Sequence, residues 1–450
     1  MKHAIRAAAA ALAAWSAALG AQGAGATPST TSSPPVTQTT EEMTTLPGVL
    51  ADPASDYVAV PAPYVETVPG PTGLRVGPLR ILPSVSLGLA YDSNPTYASR
   101  DEKSETIFRV SPVLDLLLRG NGWSANGRGW MLYDTDLNRS GAYADIIQKA
   151  HYGESLGVHV ESARGTRLTL TEMYEYQNRN DYVAISTGAG TYNASWQDRQ
   201  SWILGGSIDQ PLGEKTACSA GASYSLLTYD NAGLYDWSAY SGTLGFRRQL
   251  TSKTDLALDG SASLQTSEGN AADSTEYQAL IGLASRATAK VNYKAQVGAR
   301  FYDYGGGGGE QAASWTYNLS GAWRATSRLA FTLAGSADYQ PSELDQNNYS
   351  SVETLMAGMT YQATRRLTAS LSGIYRLEEW QRQFAGFDAL GNPLIADRLD
   401  NQVSLYGRLN YQLEKHVGLF VGADVTQNES SFTGADYDRL FLEAGVNIRF

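Results

Sequence analysis

The sequence predicts an all-β fold: a transmembrane, antiparallel, up-and-down β-barrel of about eighteen strands with both termini periplasmic. Three observations carry that expectation. Strand-length segments with an apolar residue at every second position recur from Leu79 to Phe450. Their connections alternate between short basic turns and long polar loops. The chain opens on an export signal and closes on an alternating strand with a terminal aromatic residue.

Composition narrows the class. Hydrophobic residues make up 42% and mean hydropathy is −0.29, too polar for a bundle of membrane helices. The 45 glycines suit a chain of many turns and small-residue strand faces. A formal net charge of −11 leaves no basic surplus to neutralise phosphates, so nucleic acid is not an expected partner. A single cysteine, Cys218, excludes an internal disulfide.

Residues 1–26 read as a signal peptide. Lys2 and Arg6 precede an apolar run from Ala7 to about Leu19, and Ala24-Gly25-Ala26 places the cut before Thr27, with a site slightly earlier as the alternative. An anchor helix would need roughly 17–25 apolar residues. Residues 27–78, rich in Pro, Ser and Thr, read as a flexible periplasmic segment. Val58 to Val68 within it is a candidate for transient pairing or for a plug. Residues 79–450 are the barrel, because no other long apolar segment exists and a crossing must use strands.

The strands follow in order. From Ile81 to Tyr91 every second residue is apolar or Pro. FRVSPVLDLLL sets Phe108, Val110, Pro112, Leu114, Leu116 and Leu118 against Arg109, Ser111 and Asp115. WSANGRGWMLYDTD sets Trp123, Ala125, Met131 and Tyr133 against Asn126, Arg128 and Asp134. VNYKAQVGARFYD sets Val291, Tyr293, Ala295, Val297, Ala299 and Phe301 against Asn292, Lys294, Gln296 and Arg300. SWTYNLSGAWRA, LAFTLAGSADY, LTASLSGIYRL, VSLYGRLNY and VGLFVGADV repeat the pattern.

RATAK, RATSR and QATRR are one turn solution used several times, placing Lys or Arg at one interface. The long loops include the GGGGG run at Gly305 to Gly309 and the stretch from Glu379 to Asn401, a candidate to fold inside the barrel. Such sidedness belongs to an outer-membrane meander. Hydrocarbon offers edge N–H and C=O groups no partner, so the sheet must close.

RLFLEAGVNIRF alternates Leu440, Leu442, Ala444, Val446, Ile448 and Phe450 against Arg439, Glu443, Asn447 and Arg449. An alternating last strand ending in Phe450, with Ile448 and Val446 before it, resembles the signal by which the barrel-assembly machinery recognises bacterial outer-membrane barrels. The expected surroundings are therefore outer-membrane lipid.

The pattern breaks in one quarter. Glu154 and Glu172 fall on the apolar face of consecutive strands, and a turn centred near Ala163 would oppose them directly. Carboxylates facing lipid are costly. A β-bulge or register shift turning them inward is the expectation; a protein-facing patch is the alternative. Asp198 and Asp236 break nearby strands similarly.

Alternation points Trp130, Trp237, Tyr302, Tyr406 and Phe420 into the lumen, with charged residues including Arg128, Arg300, Arg408 and Asp424. A line of inward rings would suit contact with a glycan; space filling is the alternative. No nucleophile–base pair, cofactor motif or metal constellation emerges. His151 and His159 stand too far apart on one strand to share an ion, and Asp345-Gln346-Asn347-Asn348 lacks an EF-hand spacing. An enzyme is not expected.

PSVSLGLAYDSNPTYAS, the following FRVSPVLDL and the turn YQATRRL resemble the outer-membrane beta-barrel porin family associated with bacterial exopolysaccharide gene clusters. The resemblance spans roughly Leu79 to Phe450 and rests on strand ends and turns. It implies a passive conduit for secretion of an extracellular polysaccharide, with periplasmic polysaccharide-export components as partners. A diffusion porin for small sugars or other solutes is the alternative, and a plugged scaffold or adhesive barrel another.

Overall fold

The computed structural model describes residues 73–94, 104–137, 150–181, 195–229, 236–267, 273–304, 311–341, 349–387, 393–432 and 435–450. The export signal, nearly all of the Pro/Ser/Thr-rich segment, the glycine run and the Asp345–Asn348 stretch lie outside them.

Strands of alternating polarity succeed one another along the chain. A short β1 (Leu74–Val76) precedes β2 (Leu79–Asp92), β3 (Glu105–Gly120), β4 (Trp123–Asp136) and β5 (Ala150–Glu161). Next come β6 (Arg167–Asp181), β7 (Ser195–Gly213), β8 (Thr216–Tyr229), β9 (Trp237–Gln249) and β10 (Thr254–Ser267). The third quarter holds β11 (Ser274–Thr288), β12 (Val291–Tyr304), β13 (Gln311–Arg324) and β14 (Leu329–Pro341). The last strands are β15 (Tyr349–Gln362), β16 (Leu367–Phe387), β17 (Pro393–Gln412), β18 (Val417–Ser430) and β19 (Tyr437–Arg449).

From β2 to β19 every strand pairs antiparallel with its neighbours in sequence, and β19 pairs back onto β2 from Phe441↔Asp92 to Arg449↔Ser84. The result is a closed ring of 18 strands. Closure leaves no edge, as hydrocarbon demands. Leu89, Leu244, Val297, Trp315 and Leu405 are each at least half exposed on the outside. That apolar coat faces lipid, and the polar alternates face the lumen.

Three features depart from the sequence reading. Leu74–Val76, placed there in the flexible segment, forms β1 and folds back on Leu79 to Ile81 through Gly77 at φ 60°. Within the stretch from Glu379 to Asn401, residues 379–387 and 393–401 are strand rather than loop. They continue β16 and β17, 21 and 20 residues long, and pair with each other across register shifts at Trp380/Gln383 and Phe384/Gly386. Asp236 breaks no strand: it precedes β9, and its Oδ1 accepts the Tyr229 N–H at 2.8 Å.

The glutamates are a further correction. The β5–β6 ladder centres on Arg164 rather than Ala163, pairing Glu154 with Tyr174 and Leu156 with Glu172. No bulge interrupts the ladders of β5, β6 or β7 there. Both carboxylates therefore stay on the face of Tyr152, Leu156 and Leu204, each more than a third exposed on the outside.

The wall has two weak lines. One is the closing seam between β19 and β2. The other lies between β13 and β14, whose ladder runs only from Asn318↔Ser336 to Arg324↔Ala330 although both strands continue toward the long loops. There the Thr316 hydroxyl, 1% exposed, donates to the Ala337 carbonyl at 2.8 Å and accepts from Gln278 Nε2 at 3.2 Å. A side-chain relay stands in for ladder bonds at that line.

Candidate functional site

The candidate site is the inner wall, and two of its charge networks lie on the two weak lines. At the closing seam Arg439 of β19 clamps Asp92 of β2, Nη2 to Oδ2 at 2.7 Å. Arg408 of β17 donates to Glu443 of β19 at 3.0 Å, and Arg109 of β3 approaches the other Glu443 oxygen at 3.9 Å. Arg109 also binds Asp134 of β4 through two 2.9 Å bonds. Planar guanidinium forks suit such bidentate pairing. One chain of charges thus runs from β17 across the junction to β4.

Glycine completes this seam. Gly88 and Gly445 oppose one another in the β2–β19 pair. A Cβ on Gly445 would lie 2.2 Å from the Leu87 carbonyl oxygen and 2.6 Å from the Phe420 ring. Phe420, 6% exposed, covers the gap that the glycines leave, and the Arg408 guanidinium lies over its ring at 4.2 Å. Phe441 is a second covered ring, with Arg109 at 5.2 Å and Arg439 at 5.3 Å.

The second group braces the β13–β14 line. Arg300 of β12 binds Glu276 of β11 at 2.9 Å and reaches past β13 to Asp338 of β14 at 2.7 Å. Tyr302 donates to Glu276 at 2.9 Å. Nearby, Asp259 accepts from Gln296 at 2.7 Å and from Lys294 at 3.3 Å.

The inward residues expected from sequence are distributed as follows. Arg300 and Arg408 are the hubs of the two networks. Arg128 stands opposite Asp115 at 3.7 Å. Asp424 accepts from the Thr426 hydroxyl at 3.2 Å. The five rings occupy β4, β9, β12, β17 and β18, so they are spread around the circumference rather than set in a file. Trp130 lies 2.8 Å from where Gly153 would carry a Cβ, and Trp237 packs on Leu227 and Tyr229. Tyr406 accepts from Arg408 at 3.3 Å. Each ring is held against the wall. Among the described residues no group of His, Cys, Asp or Glu could hold a metal. The His159 ring instead meets the Thr169 hydroxyl at 3.2 Å.

Sequence reasoning passed over Phe441, Asp92 and Asp338. Alternation already puts Phe441 on the face of Arg439 and Glu443. The partners Asp92 and Asp338 required the register. The wall from β8 to β10 carries a different chemistry: Ser219, Ser223, Ser225, Thr243, Ser261 and Ser263 alternate with the outward apolar set.

Residues 254–450, from β10 to the end, match the family model described as Putative beta-barrel porin 2. The turn YQATRRL lies inside that span and the opening PSVSLGLAYDSNPTYAS before it. The description names a porin and no polysaccharide. Similar solved structures include OccAB4 of Acinetobacter baumannii, at 10% identity and TM-score 0.41, covering 82% of this chain and 98% of that one. The outer membrane protein opdK of Pseudomonas aeruginosa has 12% identity and TM-score 0.40, covering 82% and 99%. The siderophore receptor PirA of Pseudomonas aeruginosa has 8% identity and TM-score 0.42, covering 82% and 80%. No curated protein sequence matches the chain. By its closed, apolar-coated ring and its similarity to a porin family over residues 254–450, the chain is a porin-like β-barrel of the bacterial outer membrane.

Proposed function

We propose that this chain, whose last ten strands match a beta-barrel porin family, is a passive, non-enzymatic conduit for uncharged or weakly charged saccharides. Rings of about 16–18 strands leave an aqueous channel. One observation carries the reading: the inner wall neutralises its own charges and elsewhere offers hydroxyls. Arg408, Arg109, Arg439 and Arg300 each bind a carboxylate of the wall, and β8 to β10 present Ser and Thr. Such a surface exerts little net field and exchanges hydrogen bonds with sugar hydroxyls.

Passage of an extracellular polysaccharide toward the surface is the first form of this proposal. It draws on the resemblance of the first strand and the turns to porins of exopolysaccharide clusters. Diffusion of small sugars is the second form, and the spread of the rings favours it, because a polymer track would set them in line. Planar-bilayer conductance comes first: a barrel closed at all voltages would refute a conduit. Gene deletion then separates the forms. Lost surface glycan with unchanged sugar uptake supports export; unchanged glycan with reduced uptake supports diffusion.

A further inference from the structure

We infer that the outer face of β5 to β9 is an interface with a second copy of this chain, packed about a two-fold axis near Leu204. The argument begins with cost. Glu154 and Glu172 stay on the lipid side of an unbroken sheet, where a bare carboxylate is penalised. Glu154 is exposed and has no hydrogen-bond or ion-pair partner among the described residues. Glu172 has one donor, Trp202 Nε1 at 3.2 Å. An apolar bilayer leaves such groups poorly satisfied; another protein surface need not.

What faces them is found on the same molecule. Above the glutamates, toward the long loops, runs a girdle of rings: Tyr152 stacks on Tyr176 at 5.1 Å, and Tyr224 meets Tyr240 at 5.0 Å. In a barrel the strands tilt at about 35–45° to the axis, so constant height advances about one residue per strand along the ladder. The rings Tyr152, Tyr174, Trp202, Tyr224 and Tyr240 follow that slope from β5 to β9.

The same slope carries the height of Glu154 to Gly242 on β9, and that of Glu172 to Ala222 on β8. Both endpoints lie on the pairing line Val158–Leu170–Gly206–Ala222–Gly242. A Cβ at Gly242 would meet nothing within 4 Å, so the surface is hollow there. Leu204 of β7, 48% exposed, lies midway at the same height.

Rotation by two-fold symmetry about Leu204 exchanges β5 with β9 and β6 with β8. Glu154 then faces the hollow at Gly242 of the other copy and Glu172 faces its small Ala222, both below the rings of Tyr224 and Tyr240, whose hydroxyls are donors for a carboxylate. The surface is complementary to itself, as an isologous contact requires. Any other partner would have to supply this match independently.

The test uses the full chain in native outer membranes, with Cys218→Ser as background. Leu204→Cys should form a disulfide-linked species of doubled mass under mild oxidant. Val421→Cys, outward on β18, should not. Adding Gly242→Trp should abolish the Leu204→Cys cross-link while the barrel keeps its heat-modifiable electrophoretic mobility. No cross-link at Leu204, equal cross-linking at Val421, a product with a different protein, or indifference to Gly242→Trp would each overturn the inference. Glu154→Leu with Glu172→Leu supplies a second reading: the lipid-facing cost disappears, so the proportion cross-linked should fall without loss of folded barrel, and an unchanged proportion counts against the interface.

Discussion

Single residues at the closing seam show how a ring with a polar interior is kept shut. Gly445 is small because two things crowd it, the Leu87 carbonyl and the Phe420 ring. Gly445→Val should push β19 away from β2 and lower the yield of heat-modifiable folded barrel. Phe420→Ala removes a buried ring that covers the glycine pair and supports Arg408. A loss of about 3 kcal/mol is expected by analogy with buried aromatic truncations, read as an earlier midpoint in urea unfolding from detergent. Glu443→Gln should cost less, about 1–3 kcal/mol, because Arg408 keeps Asn410 and Arg109 keeps Asp134. An unchanged midpoint for Phe420→Ala would mean that the ring projects into the lumen after all.

At the scale of the element, the repeated short turns are a local solution with its own chemistry. Thr251, Thr288, Thr326 and Thr364 each accept the N–H two residues on, at 3.1–3.2 Å, in the turns after β9, β11, β13 and β15. The acceptor presents a cation at the same place each time: Lys253, Lys290, Arg328 and Arg366. Two of these reach sideways, Lys253 to the Ala287 carbonyl at 3.3 Å and Arg328 to the Ala363 carbonyl at 3.4 Å. Thr326→Ala should cost about 0.5–1.5 kcal/mol of unfolding free energy, and Thr326→Ser should restore most of it. The turn after β3 uses another solution: Asn121-Gly122 with Gly122 at φ 74°, where a side chain would be strained. Turn chemistry of this kind was legible in RATAK, RATSR and QATRR because it depends on neighbours in the chain. The register of β5 against β6 was not, since one residue of uncertainty in the turn centre decides whether Glu154 and Glu172 oppose one another.

For the whole molecule, charge pairing along the lumen wall is expected to set ion selectivity. Because Arg300 is balanced by Glu276 and Asp338, an open channel should show weak ion selectivity. A reversal potential near zero is expected in a salt gradient. Asp338→Asn leaves Arg300 with less opposing charge and should shift the reversal potential toward anion preference; Arg300→Ala should shift it toward cations. If neither moves it, the network lies off the conducting path.

Period-two alternation, by itself, predicted the barrel and the approximate strand number, because side chains alternate faces whatever lies opposite. It also set Arg300, Arg408, Tyr302 and Phe420 on the wet face. Only the tertiary structure decided which charges meet, that the rings lie scattered against the wall, that residues 379–387 and 393–401 continue β16 and β17, and that the glutamates remain outside. Those facts depend on ladder register and on contacts between strands far apart in the chain, as between Asp92 and Arg439. Pairing partners are a property of the closed ring, and a one-dimensional pattern of polarity does not contain them.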